Sequence, residues 1–416
     1  MDTTKTFEDH FDIVSELGKG AFGSVSLVKH IKQGTPHAAK FEIMKKSNSS
    51  PSFTLLQYEF NLLNYIDSMY NMAHKTQKLT RFPFTPDSRS LCRSTTKKAY
   101  VMIMKQLGEN LGTKFKRCRR SFTPSTKYKL FYKMLYILKE LHSVDVIHRD
   151  LKPENFCLDS KDRLYIIDFG MAKKLPSPDA IHQPNKKIKN SFIFGTFVYT
   201  SINGLRGMAQ DKQDDLESLG YMMVYMTHGT LPWSSSSDVK LGHSTILQAK
   251  ESISLEKLCN GKNTFLYHYF DYVKSLKKNE TANHDYLINL IHVAWTKHMV
   301  ETSHSFKTDL LNKGDYGQFF QGELSFVEFF NLYNKNKGDA VFEQTIRSHW
   351  NSILYDWNNL AKTKRKNKNK TPTPQAHLLC DKILKPPTPT VKQEEDYVNQ
   401  ETVNNLLQNF KKKTIQ

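Results

Sequence analysis

The sequence has few cysteines and no pairing pattern among them. Its 416 residues include five cysteines, at positions 92, 118, 157, 259 and 380, and no two of them have a CxxC spacing. An odd, scattered set of thiols is typical of a reducing compartment and offers no zinc site. The sixteen histidines show no HExxH spacing either, which argues against a bound transition metal. We therefore predict an intracellular protein of the cytoplasm or the nucleus.

Long apolar runs are missing as well. No stretch of eighteen apolar residues occurs, so the sequence predicts no transmembrane helix. Residues 1–9 are polar and mixed in charge, unlike a signal peptide. Position 2 is aspartate instead of the glycine that N-myristoylation requires. We expect no attachment to a membrane.

Negative charge is scarce relative to positive charge. The chain has 60 lysines and arginines against 41 acidic residues, a formal net charge of +19. Such an excess attracts acidic proteins, nucleic acid or anionic membranes, and a basic tail on a soluble protein is the alternative. No RNA- or DNA-binding motif is present, so we predict no specific nucleic-acid site. With 38% hydrophobic residues, the chain can form two or three compact units or one large bilobed unit.

Alternating and helical periodicities divide the chain into a strand-rich start and a helical remainder. The patterns predict strands at 11–17, 24–29, 37–42 and 100–104, and helices at 54–66, from Thr123 onward and at 214–226. Residues 70–97 are polar, and we interpret them as a long loop or a small insertion. From residue 362 a lysine run and proline-threonine repeats follow, which indicate a disordered tail over 362–416.

A glycine-rich segment joins the first two predicted strands. Its GxGxxG spacing lets the backbone approach phosphates without a Cβ clash. A dinucleotide fold would open a helix at these glycines. Here a strand pattern continues, which favours a hairpin that covers a nucleotide, with a simple glycine turn as the alternative. The predicted nucleotide contacts are Leu17, Gly18, Lys19, Gly20, Ala21, Phe22, Gly23, Ser24 and Val25.

A lysine and a carboxylate complete the predicted phosphate site. Lys40 lies in the third predicted strand, from which its ammonium group can bridge the α- and β-phosphates of ATP. The lysine needs a carboxylate to hold it, and Glu59 on the next helix is the candidate. For either residue alone, a solvated surface charge is the alternative interpretation.

The segment His148-Arg-Asp-Leu-Lys-Pro-Glu-Asn155 is the most informative one. Asp150 can accept the proton of an incoming hydroxyl, and Lys152 can stabilise charge on a moving phosphoryl group. Asn155, and Asp168 in a following Asp-Phe-Gly triplet, offer the oxygen ligands that Mg²⁺ prefers. With the glycine loop, these are the parts of a protein kinase in their usual chain order. We predict a bilobed α+β kinase fold, with ATP and Mg²⁺ between a small β-rich lobe and a larger, mainly α-helical lobe.

Three segments beyond residues 148–155, which we call the catalytic loop, point to one group of kinases. They are Gly195-Thr-Phe-Val-Tyr-Thr-Ser-Ile-Asn203, Asp214-Asp-Leu-Glu-Ser-Leu-Gly-Tyr221 and Leu231-Pro-Trp233. They resemble the casein kinase 1 group, which includes the tau-tubulin kinases and has Ser-Ile-Asn where most kinases have Ala-Pro-Glu. The similarity runs from about residue 11 to residue 275 and resumes at 355–358.

This resemblance implies further roles. Asp215 would hold the backbone of the catalytic loop, and Thr196 would contact Asp150 and Lys152, as is typical of serine/threonine kinases. Val198 stands where the group usually has an arginine that binds phosphate on primed substrates, so a preference for pre-phosphorylated sites is left open. The implied adenine-pocket residues are Val25, Ala38, Met104, Gln106 and Leu107, with ordinary core packing as the alternative for Ala38 and Met104.

The resemblance also sets the expected domain bounds. We predict a kinase domain over 11–361, with an N-lobe at 11–107, a C-lobe at 108–361 and insertions at 70–97 and 299–345, after a short segment at 1–10 and before the tail at 362–416. We expect a monomeric serine/threonine kinase. Two basic clusters would attract acidic protein substrates, with a solvated face as the alternative for each: Lys114, Lys116, Arg117, Arg119 and Arg120, and Lys186, Lys187 and Lys189.

Two other functions are compatible with the same residues. A pseudokinase scaffold would bind acidic partners through its basic surface without turnover, but none of the expected catalytic residues is lost. A kinase tethered to a cytoskeletal or other acidic polymer would use the lysine-rich tail at 362–416 for that contact.

Overall fold

The computed structural model describes most of the chain up to residue 302. The described ranges are 6–20, 23–44, 54–74, 82–87, 89–176, 196–234, 242–262, 264–277 and 280–302. Several predictions concern residues outside these ranges and stay predictions. They are the tail at 362–416, most of the insertion at 299–345, the similarity at 355–358 and the lysines at 186, 187 and 189.

A five-stranded antiparallel sheet forms the first lobe. Its strands are β1 (Phe11–Gly20), β2 (Gly23–His30), β3 (Pro36–Ile43), β4 (Ser90–Ser94) and β5 (Ala99–Lys105), in the order β1-β2-β3-β5-β4. The sequence predicts four of these strands. Strand β4 lies where a long loop or insertion is expected, because a largely polar edge strand carries little apolar alternation for pattern reading to detect.

The apolar face of this sheet builds the core of the lobe. Inward-pointing positions alternate along each strand, and Val28, Ala39, Phe41, Val101 and Ile103 are buried there together. The alternation that identifies the strands in the sequence is therefore the one that buries this face.

The residues that precede β1 belong to the same lobe. Phe7, in a 3-10 helix at Phe7–Asp9, is buried in the apolar cluster of the sheet. The carboxylate of Glu8 accepts hydrogen bonds of 2.5 to 3.3 Å from the end of β4 and the turn after it, from Ser94, Thr95 and Thr96. The sequence sets the first ten residues apart from the lobe, because one aromatic residue among polar ones produces no periodic signal.

Helix α1 (Leu55–Ala73) is longer than the predicted helix. Thr54 caps its N-terminus in a reciprocal capping box. The helix continues past the expected end because Tyr70 extends its buried face. Asp67, whose charge suggests an end to the apolar pattern, forms an ion pair with Arg89.

The second lobe is mainly helical. Its helices are α2 (Leu111–Arg117), α3 (Pro124–Ser143), α4 (Ile202–Leu205), α5 (Lys212–His228), α6 (His243–Ser252), α7 (Leu255–Cys259), α8 (Phe265–Ser275) and α9 (His284–Thr302). Four short strands form two further antiparallel pairs: β6 (Val146–Ile147) with β9 (Lys173–Lys174), and β7 (Phe156–Leu158) with β8 (Leu164–Ile166). Within the described ranges, no helix is both long and apolar enough to cross a membrane.

Two helices, α3 and α5, lie in the interior of this lobe. Helix α3 begins at Pro124 with Thr123 as its N-cap, as the sequence predicts, and buries residues such as Leu138. Helix α5 is buried on most sides, including Leu219 and Met222, which is typical of a central helix. The predicted α+β fold class, with a β-rich first lobe and a helical second lobe, is confirmed.

Candidate active site

Strands β1 and β2 form the hairpin predicted from the glycine pattern. Gly20 pairs with Gly23 at its tip, and Ala21 and Phe22 lie outside the described residues. Gly23 has φ of +145°, and a Cβ at this position would lie 1.8 Å from the carbonyl oxygen of Phe41 on β3. Only glycine fits here, because the neighbouring strand approaches the backbone so closely.

The residues expected around the adenine lie on the same sheet and just after it. Ala38 is buried and stands opposite Met104 in the β3–β5 ladder. Val25 stands opposite Lys40 in the β2–β3 ladder, and Leu107 follows β5 as a half-buried residue. The other predicted hairpin contacts lie on β1 and β2 and are exposed or half-buried: Leu17, Gly18, Lys19 and Ser24.

Lys40 connects charged groups from both lobes. Its Nζ lies 2.6 Å from Oε2 of Glu59 and 2.8 Å from Oδ1 of Asp168. The other carboxylate oxygen of Glu59 accepts a hydrogen bond of 3.0 Å from the backbone amide of Phe169. Helix α1 is thereby attached to the Asp-Phe-Gly triplet through one carboxylate, and the expected pairing of Glu59 with Lys40 is present.

The charges of this cluster depend on one another. Burial alone would lower the pKa of Lys40, but Glu59 and Asp168 raise it well above its usual range. Lys40 in turn lowers the pKa of Asp168 to about 2, although burial acts in the opposite direction. The lysine is therefore cationic and the aspartate anionic across the whole neutral pH range.

Both carboxylate oxygens of Asp150 are held in place. Oδ2 accepts hydrogen bonds from Lys152 Nζ at 2.5 Å and from Asn155 Nδ2 at 3.2 Å. Oδ1 accepts from the backbone amide of Thr196 at 3.0 Å and from its hydroxyl at 3.3 Å. The expected contact of Thr196 with Asp150 is present. Among the described residues Thr196 forms no hydrogen bond with Lys152, because both donate to Asp150 instead.

Asp215 on α5 supports the catalytic loop from inside the lobe. Its Oδ2 accepts the backbone amide of His148 at 2.7 Å, and its Oδ1 accepts that of Arg149 at 2.9 Å. Nε2 of His142 lies 3.1 Å from the same Oδ2. Burial acts to raise the pKa of Asp215, but hydrogen bonds and the attraction of His142 and His148 lower it overall. Arg149 has φ of +66°, so these bonds stabilise a strained backbone turn.

The Asp-Phe-Gly triplet is fixed by packing as well as by charge. Asp168 has a left-handed backbone, with φ of +66°, a conformation that aspartate tolerates better than most residues. Phe169 is buried and packs edge-on against His148, with ring centroids 5.0 Å apart. Nε2 of His148 lies 3.0 Å from the carbonyl oxygen of Ile167, so the catalytic loop and the triplet form one connected unit.

The oxygen atoms of this unit suit Mg²⁺. Nδ2 of Asn155 donates to the carbonyl oxygen of Asp150 at 2.8 Å, which leaves the amide oxygen as the atom for a metal. Asp168 supplies a carboxylate. Magnesium usually takes one or two protein oxygens and completes its shell with phosphate oxygens and water. In the described ranges no group of three or more His, Cys, Asp or Glu side chains could hold a metal. The oxygens of Asn155 and Asp168 match the one or two protein ligands that Mg²⁺ takes beside phosphate.

Sequence reasoning missed residues that support the site from a distance. His142 contacts Asp215. Lys250 on α6 and Trp233 hold the backbone that follows Thr196. The sequence contains one weak indication that Lys250 is buried. It lies four residues after Ile246 on the buried face of α6, a position at which helical spacing predicts an apolar residue.

Helix α2 and the turn after it carry one of the predicted basic clusters, which we call the α2 basic cluster: Lys114, Lys116, Arg117, Arg119 and Arg120. All except Lys114 are exposed. Lys116 Nζ lies 3.8 Å from Oε1 of Glu154 in the catalytic loop, and Arg117 forms an ion pair of 2.7 Å with Glu109. The cluster therefore lies beside the catalytic loop and exceeds its acidic partners in charge.

Comparison with known proteins agrees with this geometry. The family model described as protein kinase domain matches residues 11–320. A protein of Encephalitozoon cuniculi (strain GB-M1) named a probable casein kinase I homolog is 30% identical over 284 residues, which cover 67% of this chain and 86% of that protein.

Proposed function

Because the chain belongs to the protein kinase family and is a casein kinase 1-like member of it, we propose that it transfers the γ-phosphoryl group of Mg·ATP to serine and threonine hydroxyls of proteins. The observation that carries this proposal is the environment of Asp150, whose two oxygens are oriented by separate parts of the chain. A carboxylate held in this way is suited to accept a proton from a hydroxyl group in one defined position.

The other residues have complementary roles in the proposed reaction. Lys40, held by Glu59 and Asp168, presents a permanent positive charge to the α- and β-phosphates. The Lys152 ammonium group, 2.5 Å from Asp150, is placed to stabilise negative charge on the group being transferred. Positioning and charge neutralisation supply most of what phosphoryl transfer needs, so no covalent intermediate on the protein is required.

Mg²⁺ would be held by the amide oxygen of Asn155 and the carboxylate of Asp168. When bound, such a metal neutralises charge on the β- and γ-phosphates. The low pKa of Asp168, about 2, keeps this ligand ionised at any pH at which the protein would work. The hydrogen bond from Asn155 to the backbone of Asp150 places metal ligand and base in one rigid loop.

Two features support the choice of acceptor. The contact of Thr196 with Asp150 is the arrangement that resemblance to serine/threonine kinases implies. The α2 basic cluster lies beside Glu154 of the catalytic loop, where it would attract acidic side chains of a bound protein. We therefore propose acidic proteins as the substrate class.

The test is transfer of labelled phosphate from Mg·ATP to casein by the full chain. We expect wild type to label serine and threonine, and Asp150→Asn to lower the rate on the order of 10²-fold or more, the usual contribution of a positioned base. Asp162→Asn is the matched control. This exposed aspartate lies between β7 and β8 with φ of +56°, which asparagine also tolerates, so the control should retain the wild-type rate.

Each other outcome has a distinct meaning. Equal transfer by wild type and Asp150→Asn would rule out Asp150 as the base. Intact binding of Mg·ATP, with no transfer to casein or to the chain itself, would favour a scaffold without turnover. Label on tyrosine would contradict the proposed serine/threonine specificity and leave the kinase activity in place.

A further inference from the structure

The backbone that follows Thr196 is held by a lysine from a distant helix. Nζ of Lys250 donates to the carbonyl oxygen of Phe197 at 3.1 Å and to that of Thr200 at 2.6 Å. Both carbonyls belong to residues 196–201, which we call the acceptor segment because it begins at the residue that binds Asp150. One side chain of α6 therefore bridges both ends of this segment.

Lys250 is almost completely buried, with 1% of its surface exposed. Its Nζ lies 4.3 Å from the ring centroid of Tyr221 and 4.9 Å from that of Trp233. Glu217 attracts it, but that carboxylate already accepts hydrogen bonds from the Tyr221 hydroxyl and the Ile202 amide. The ammonium group is thus enclosed by carbonyl oxygens and aromatic faces, which are favourable surroundings for a cation.

The bond pattern does not depend on the charge of the lysine. Burial lowers the pKa of Lys250 to about 7, with Glu217 acting in the opposite direction. Even a neutral amine retains two N–H donors, one for each carbonyl. The two hydrogen bonds therefore persist on both sides of this pKa.

The acceptor segment has further attachments that transmit its position to Asp150. Trp233 Nε1 donates to the carbonyl oxygen of Val198 at 2.8 Å. The backbone amide of Tyr199 donates to the carbonyl oxygen of Thr196 at 2.8 Å, and the amide and hydroxyl of Thr196 donate to Asp150. A displacement of the segment would therefore move Thr196 away from the carboxylate that it orients.

We propose that Lys250 is a positioning residue for phosphoryl transfer, which acts through Thr196 on Asp150 by holding the carbonyls of Phe197 and Thr200. The inference rests on the proposed kinase function. Loss of the N–H donors of Lys250 would also cost stability, because the carbonyl oxygens of Phe197 and Thr200 would lose their hydrogen bonds to Lys250, so the test has to separate positioning from stabilisation. Lys250 supplies what an apolar residue cannot, two N–H donors directed at two carbonyls of one turn.

The test compares Lys250→Met with Lys250→Arg and with the control Lys257→Met, which changes an exposed lysine on α7. Methionine keeps an unbranched, flexible side chain but lacks the terminal amino group, so it removes every donor. We expect it to lower kcat for casein roughly 10- to 100-fold, as misplacement of reacting groups by about 1 Å does, and to leave KM for ATP within about twofold. Arginine can donate to both carbonyls and stack on the rings, so it should recover part of the lost rate.

A second measurement distinguishes positioning from simple stabilisation. Thr196→Ala removes the hydroxyl bond to Asp150 and keeps the amide bond, so in this background Lys250→Met should lower kcat less than it does in wild type. Amide hydrogen exchange should also rise at Tyr199 and Thr200, whose amides donate to Thr196, and stay unchanged in β2 and β3.

The outcomes separate the possibilities. Undiminished kcat in folded Lys250→Met, or an equal loss in both backgrounds, would overturn the proposal. If the methionine variant does not fold, the arginine variant decides the question. Wild-type kcat and unchanged amide exchange in Lys250→Arg would support the role of the two hydrogen bonds. A folded Lys250→Arg protein that is as inactive as Asp150→Asn would overturn it. A wild type without any transfer would contradict the kinase function itself, whereas the exchange experiment would still show whether Lys250 holds the segment.

Discussion

Replacement of Asp215 by asparagine should disable the catalytic loop without changing any residue expected to touch ATP. The carboxylate accepts the backbone amides of His148 and Arg149 on different oxygens, at 2.7 and 2.9 Å. Asparagine keeps the shape but converts one of these oxygens into an NH₂ donor. Whichever way the amide group points, one backbone N–H then faces another donor.

The size of the effect follows from burial and backbone strain. Asp215 is 2% exposed, so the orphaned donor receives no water, at a cost of about 1–3 kcal/mol. Arg149 sits at φ of +66°, and relaxation of that turn moves the backbone of Asp150. We expect the free energy of unfolding to fall by about 2–3 kcal/mol, and kcat to fall on the order of 10²-fold because the base is displaced.

The assay combines casein phosphorylation with thermal unfolding and ATP binding. Asp285→Asn is the control, because Asp285 is exposed and its ion pair with Lys139 lies at the surface, where such a pair is worth roughly 0–1 kcal/mol. ATP affinity should be retained in both variants, since Lys40 and Asp168 are untouched. An Asp215→Asn protein that stays folded and keeps kcat within about threefold of wild type would refute the idea that this carboxylate orients the loop.

Two further predictions concern the first lobe. Gly23→Ala should lower the thermal unfolding midpoint by several degrees, because its Cβ would lie 1.8 Å from the oxygen of Phe41 and alanine avoids the φ of this position. Gly18→Ala is the control and should leave the midpoint nearly unchanged, since a Cβ there meets nothing within 4 Å. Equal midpoints for the two variants would contradict the close approach of β3 to Gly23. Burial opposes ionisation of Glu8, but hydrogen bonds from Ser94 and Thr96 lower its pKa to about 2. Its stabilising contribution is therefore complete above the unfolded pKa of 4.5 and is lost as pH falls toward about 2. In chemical unfolding between pH 7 and pH 3, the difference in the free energy of unfolding between wild type and Glu8→Gln should shrink as pH falls. A difference that stays constant would show that the ionised carboxylate of Glu8 does not stabilise the lobe.

The parts of the site that the sequence predicts are those whose chemistry lies within a few neighbouring residues. Lys152 and Asn155 stand two and five positions from Asp150 and both bind it. A contiguous motif of this kind carries its own geometry, because the turn that forms it leaves few alternatives. The glycine hairpin is similar, since the strand pattern on both sides of it already excludes a helix.

The parts that the sequence does not predict depend on contacts between distant residues. Strand β4 pairs with the outer edge of β5 through its backbone, which leaves little trace in side-chain alternation. Phe7 is buried by the sheet, yet a lone aromatic residue among polar ones looks like a surface position. The buried lysine at 250 is hidden for the opposite reason: its residue type indicates exposure, and only the carbonyls of the acceptor segment explain its burial.

The groups proposed to bind ATP and the groups that orient the proposed base differ in how far apart their contacts lie along the chain. The groups proposed to bind ATP and Mg²⁺ belong to short motifs that are joined by long-range links, from Lys40 to Asp168 and from Glu59 to Phe169. One oxygen of Asp150, the proposed base, is oriented by Thr196, and contacts from α6 and from Trp233 hold the acceptor segment that begins at Thr196. We expect changes in those distant contacts to lower the rate of transfer while the motifs stay intact. The motifs therefore predict the proposed reaction, whereas the orientation of its base depends on packing that only the fold reveals.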